Sequence, residues 1–287
     1  MTRYIDIPGF TPTVQAPIDP SLTDGHLLLI VPGKPVDGYW GSGLDIPNLA
    51  ASRLAAITGN PGPTATVFNA FANPQSGQIE RTAKNRPHFM VSHLANTSGG
   101  TAGLGAGAGI QIPIAVRDWI QAHPTHDFYL SLGFRLTRQY TGTSPTVYPL
   151  ASLKSPDLGG TRTSVGITAA NALAGTPASS SVERLGFTTA SLPADAAEKF
   201  AAITSDGYAL SGVLSTVALY LGAVNTATTN KAPSIAVTRL AIADLTAGTN
   251  LTHGGVAAAD LDAWSASLSA GGYYNGDTNS DPAVLVP

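Results

Sequence analysis

The sequence contains no cysteine and little charge, and each shortage narrows what the chain can be. Without cysteine there are no disulfides and no thiolate metal sites, which excludes a disulfide-stapled scaffold and a zinc ribbon alike. Charged residues make up 11% of the chain, under half of the roughly 25% usual in soluble proteins. A net charge of -3 supplies no positive field, so neither nucleic acid nor anionic lipid is an expected partner. Long apolar runs are scarce too. The one membrane suspect, the uncharged stretch Gly207 to Asn230, is interrupted by Ser211, Gly212, Ser215 and Thr216. It falls short of the about 20 apolar residues of a membrane helix and reads better as buried strands. The opening residues MTRYIDIPGF lack the basic and apolar regions of a secretory signal, so the expectation is synthesis in the cytoplasm without export by that route.

What is present is proline, glycine and short β-prone runs. Seven of the 21 prolines fall in the first sixty residues, and each removes a donor that a central strand would use. Residues 1–60 therefore read as an extended arm, within which His26 to Val31 forms one strand and Asn48 to Ile57 a short helix. Residues 61–250 carry β-branched and aromatic runs separated by turn residues, the spacing of an all-β antiparallel β-sandwich. Strands are expected at 65–71, 88–94, 109–114, 127–137, 163–168, 208–214, 216–224 and 234–244. In FYLSLGFRLTR, alternation places Phe128, Leu130, Leu132, Phe134 and Leu136 on one face. Short helices are expected at Val116 to Ala122 and Pro193 to Ile203. Residues 251–287 read as a helix, Val256 to Leu268, stopped by Gly271 and Gly272 and followed by an extended tail.

The stretch from Ser234 to Pro282 carries a recognisable pattern. A strand ends in Asp244, Leu245 and Thr246; a short helix follows; and GGYYNGDTNSDP closes with Gly271, Gly272, Tyr274, Gly276, Asp277, Thr278, Asp281 and Pro282. This resembles the end of concanavalin A-like or laminin G-like (lectin-like) domains in structural proteins of bacteriophages and prophages, where a strand ending in (D/E)LT leads to a GGR(F/Y)xGDTxTDP ending. Tyr273 stands where that pattern has a basic residue, and Asn275 and Ser280 also depart from it. The segments Glu80 to Leu94 and His123 to Arg138 are similar to paired strands of the same domains. The resemblance implies a jelly-roll or concanavalin A-like sandwich. It further implies a virion role as a tail, fibre or capsid-decoration component, in contact with other virion proteins, with binding of host-surface glycans as an accompanying property.

Candidate chemistry is sparse. Asp277, Asn279 and Asp281 alternate in the closing loop, and alternating oxygen ligands suit a hard cation such as Ca²⁺, although the glycine and glutamate of a full calcium loop are missing. The competing reading is an Asx-type turn that anchors the tail. Tyr39 and Trp40, and Tyr273 and Tyr274, lie between glycines, where rings reach solvent and offer platforms for sugars. His123 and His126, with Asp127 beside them and His88 and His93 on a nearby strand, suggest a metal, but Pro124 breaks the helix that would align the first pair. The glycine-rich run Ser98 to Gly109 leads into a strand-like IQIPI rather than a helix and reads as a loop, not a dinucleotide fingerprint. Only three glutamates exist, Glu80, Glu183 and Glu198, well separated in sequence, and there is no GxSxG.

The reading is therefore a non-enzymatic structural protein that assembles through its termini as a homo-oligomer, by analogy a trimer. The alternatives are a polysaccharide-degrading enzyme of the tailspike kind and a stand-alone carbohydrate-binding module, which the fold alone does not separate.

Overall fold

The structure is a computed structural model and describes residues 19–33, 45–71, 74–92, 107–138, 147–153, 165–170, 184–185, 190–191, 198–205, 216–222 and 232–286. In chain order the elements are β1 (His26–Ile30), β2 (Asp45–Pro47), α1 (Ala51–Thr58), β3 (Thr64–Asn69), β4 (Gly77–Arg81), β5 (Pro87–Val91) and β6 (Gly107–Gln111). They continue with α2 (Ile114–Ala122), β7 (Phe128–Arg138), β8 (Val147–Ser152), β9 (Val165–Ala170), β10 (Arg184–Leu185), β11 (Ala190–Ser191) and β12 (Glu198–Thr204). The last are β13 (Val217–Gly222), β14 (Ser234–Asp244), α3 (His253–Leu268) and α4 (Pro282–Leu285).

The protein is mostly β, with two seven-stranded sheets. One runs β11-β12-β7-β14-β5-β4, with β1 pairing β14 beside β5; the other runs β10-β9-β8-β13-β6-β3-β2. Pairing is antiparallel throughout except between β9 and β10. The sheets share one core. Phe128, Leu130, Leu132 and Phe134 of β7, with Ile235, Val237, Leu240 and Ile242 of β14, meet Val67, Ile110, Leu219 and Leu221 of the facing sheet. Each such side chain, fully withdrawn from water, contributes about 1.5–3 kcal/mol. Helices α1 and α2 touch one another and add Leu54, Val116 and Ile120 to the same core.

A third layer covers the outer face of the first sheet. Val256, Asp260 and Trp264, four residues apart along α3, form its buried stripe. Val256 and Trp264 pack with Tyr129, Phe200, Ala202, Ala241, Ala243 and Tyr274. A bulge in β14 makes room for this layer. Val237 pairs with Phe134 and Arg239 with Gly133, so Thr238 is the extra residue. Val237 and Leu240 both enter the inner core, while Thr238 and Arg239 bond to the outer layer. Trp264 donates its indole N–H to Thr238 Oγ1 at 2.9 Å and lies over Gly133.

The strands expected at 127–137 and 234–244 form as β7 and β14, the second with its boundaries unchanged. Three other expectations are revised. The segment read as a helix from Pro193 to Ile203 is strand β12 over its described part; Glu198 to Thr204 pair residue for residue with Arg135 to Tyr129, because Phe200 and Ile203 serve opposite cores. Within the expected arm, β1 and β2 are sheet members and Asn48 ties them, its amide bridging Leu27, Leu29 and Gly62. Helix α3 starts at His253, capped by Thr252, whose hydroxyl accepts from the Gly255 amide at 3.2 Å. Strands β2, β4, β8, β10 and β11 were not anticipated. The expected strand 208–214 lies outside the described residues. Among the described residues no helix is long and apolar enough to cross a membrane.

A Cβ placed on Gly133 would lie 2.6 Å from the Trp264 indole and 2.8 Å from Thr238 Oγ1. Gly133→Ala is therefore expected to lower stability by about 1–3 kcal/mol in urea denaturation. Gly254→Ala on the open side of α3, where nothing lies within 4 Å, should raise it by up to about 1 kcal/mol. Equal effects of the two changes would contradict the packing described.

Candidate functional site

The residues singled out in the closing segment come together as a latch across the outer face. Tyr274 is 1% exposed. Its hydroxyl lies between the Pro32 and Thr238 carbonyls, and the Arg86 guanidinium sits 5.3 Å from its ring centre. Tyr273, half-buried, donates to the Gly33 carbonyl. Gly272 is needed because the chain folds back on α3, where a Cβ would strike the Ala266 and Ser267 carbonyls, and Gly271 before it takes φ +82°. The expectation of a tyrosine sugar platform is corrected for Tyr274, whose ring is core. Tyr39 and Trp40 lie outside the described residues, as does His93.

The Asp277 amide donates to the Tyr274 carbonyl at 3.1 Å, closing a turn with Gly276 at φ +69°. Asp277 Oδ1 accepts from the Lys84 amide at 2.7 Å and Oδ2 from Arg86 Nε. Arg86 Nη1 continues to Glu198 at 3.1 Å, which accepts from Arg135 Nε at 2.7 Å. Arg135 Nη1 then returns to the Asp277 carbonyl at 2.8 Å and reaches Asn279 Oδ1 at 3.4 Å. Asp281 caps α4 through the Ala283 amide at 2.9 Å. The side chains of Asp277, Asn279 and Asp281 thus bond different groups, of Lys84 and Arg86, of Arg135 and of Ala283 in turn, and the nearest cations are two guanidinium groups. Among the described residues no three His, Cys, Asp or Glu side chains cluster around a common point that could hold a metal ion.

A second buried knot joins distant parts of the chain. Asp260 of α3 accepts from Tyr129 at 2.8 Å, and also from Ser131 and Arg239 Nε. Arg239 bonds Asp19 at 2.9 and 3.1 Å and reaches Ser21. Burial alone would raise the Asp19 carboxyl and lower the Arg239 guanidinium, but their hydrogen bonds and opposite charges reverse both shifts. His26 is fully buried nearby; its Nδ1 accepts from the Thr23 amide at 3.0 Å. Loss of hydration pulls its pKa down to about 4, against a partial offset from Asp260.

The third cluster stands where α2 turns into β7. Asp244, buried at the end of β14, accepts from the Thr246 and Ala247 amides at 2.9 Å each, from Trp119 Nε1 at 2.8 Å and from His126 Nδ1 at 2.7 Å. The Asp-Leu-Thr ending of the strand is thereby an Asx turn with a side of its carboxylate turned to the histidine corner. His123 Nδ1 lies 2.9 Å from the Trp119 carbonyl. Pro124 does end the helix, but the turn behind it, with the His126 amide on the His123 carbonyl at 3.1 Å, brings the two imidazoles together. His88 is separate, held between Glu80 at 2.7 Å and Thr137 at 2.8 Å.

Arg86, Arg135, Glu198 and Arg239 were not anticipated as parts of these clusters. The signal was the scarcity of charge itself, because a lone arginine inside an apolar strand such as SIAVTRLAIAD has to find a carboxylate. In comparisons with known proteins, no family model matches the chain and no curated protein shows significant similarity to it.

Two outcomes follow from these contacts. Asp277→Ala leaves the Arg86 charge buried and is expected to cost about 3–5 kcal/mol in chemical denaturation, whereas Asp281→Ala removes one cap and costs about 1 kcal/mol. A rise in melting temperature with calcium that Asp277→Ala abolishes would contradict the latch. For His26 the sign is fixed by its depressed pKa: the unfolded chain takes up the proton first, so stability falls as pH drops from 6.5 towards 4. His26→Asn keeps an acceptor for Thr23 and should flatten that fall by about 1.4 kcal/mol per pH unit. Identical pH profiles for the two proteins would refute it.

Proposed function

We propose that this chain is a structural component of a bacteriophage-like particle, built on a lectin-like sandwich of the jelly-roll or concanavalin A-like kind and acting by assembly, not catalysis. The observation that carries this reading is the use made of the closing segment. The residues that match the phage-domain pattern, Gly272, Tyr274, Gly276 and Asp277, serve to lay the C-terminal segment across a sheet and bind it there. Such a segment is an architectural part, and an ending devoted to architecture fits a subunit whose neighbours pack against its termini.

Composition supports the same role. With 11% charged residues, several of the described ones buried as internal pairs, little charge is left over for contact with a partner. Surfaces of that kind suit extensive subunit contact more than the steering of a charged substrate. On this reading the protein resides in the virion and contacts further copies of itself and other particle proteins. Any glycan would be recognised outside Tyr274.

The test is the mass of the full-length protein in solution, measured by sedimentation, together with its behaviour towards bacterial surface polysaccharide. A stable symmetric oligomer, expected to be a trimer with an interface above about 2,000 Å², that leaves the polysaccharide intact is the expected result. A stable monomer that shortens the polysaccharide would overturn the proposal.

A further inference from the structure

We propose that His123 and His126 form a binding site for a divalent transition-metal ion of the zinc, copper or nickel class, with solvent completing the coordination. The proposal stands independently of the assembly role. It begins with the hydrogen bonds of the two rings. The Trp119 carbonyl and the Asp244 carboxylate only accept, so each histidine must carry its proton on Nδ1. In the neutral ring that leaves the lone pair on Nε2. A histidine oriented by a backbone carbonyl or a carboxylate through one nitrogen is the arrangement metal-bound imidazoles usually show at the other.

The spacing of the rings agrees with a shared ion. Their centres lie 4.7 Å apart. Two imidazoles bound through Nε2 at about 2.0–2.1 Å place their centres about 3.2 Å from the ion, hence about 4.5–5.2 Å apart at angles between square-planar and tetrahedral. The rings are also held in place. Trp119 stacks on His123 with centres 3.7 Å apart, and Phe128 flanks His126 at 6.2 Å. Both histidines are partly exposed, and neither Nε2 is among the sealed, unpartnered atoms of the described residues.

The ligand class follows from the donors. Imidazole nitrogen suits zinc, copper and nickel, whereas calcium and magnesium require oxygen. Two protein ligands leave the remaining positions to water, so the site is an open one and not a closed structural centre. Asp244 takes the part of a positioning residue, since it fixes His126 without touching the ion.

The test titrates the metal-free full-length chain with zinc chloride by calorimetry, and with copper(II) followed by electron paramagnetic resonance. The expected result is one ion per chain at micromolar affinity, with a copper spectrum showing two imidazole nitrogens. His123→Ala and His126→Gln should each weaken binding at least about tenfold while leaving the urea midpoint of the remaining fold in place. The second replacement retains a side-chain amide that can donate to Asp244. Absence of zinc binding at millimolar concentration, an oxygen-only copper spectrum, or affinity that neither histidine variant changes would overturn the proposal. If one variant fails to fold, the other variant and the spectrum of the unaltered chain decide the matter.

Discussion

A guanidinium lying out of water in the middle of a sheet has to be neutralised where it stands, and Arg239 imposes that condition on the whole outer face. It faces outward because the bulge at Thr238 turns two successive residues of β14 to the same side. Its partners come from both ends of the chain: Asp260 from α3, and Asp19, 220 residues away in sequence. Once these are docked, Tyr129 and Ser131 are satisfied through Asp260, and Trp264 closes over Gly133. The arginine contributes little net energy beyond what apolar packing would. Its effect is to make one arrangement of sheet, helix and N-terminal segment far better than any other.

The Arg86 cluster repeats this logic a short distance away. Asp277 and Glu198 flank one buried guanidinium, and Arg135 closes the circuit back to the Asp277 carbonyl. The tail is thereby joined to the turn between β4 and β5, to β7 and to β12 at once. Two buried cations, each shared between carboxylates from distant segments, convert a two-sheet core into a three-layer protein.

Much of the inner core was legible in the sequence because it obeys a period of two. The FYLSLGFRLTR run states its buried face without ambiguity, and β7 follows it. The outer layer was harder to read. Its register depends on a bulge that shifts the alternation within β14, and no local residue announces that shift. The Ala-rich Glu198–Thr204 segment carries helical preference, yet tertiary pairing with β7 overrides it. Residues proposed for a ligand were chosen because they sit between glycines. In Gly272 the glycine instead permits the chain to press against α3, and in Gly276 it permits a tight turn, so neither marks exposure. The histidine pair was visible as a spacing, while its alignment by a turn and by a carboxylate some hundred and eighteen residues on was not.

The central claim is that the closing segment belongs to the same cooperative unit as the sheet it crosses. Native-state hydrogen exchange reads this directly through the amides of Tyr274 and Asp277 and those of β14. The account predicts that both sets exchange only through global unfolding, with matching free energies and matching denaturant dependence. Exchange of the Tyr274 and Asp277 amides by a low-energy local opening, with β14 still fully protected, would contradict it.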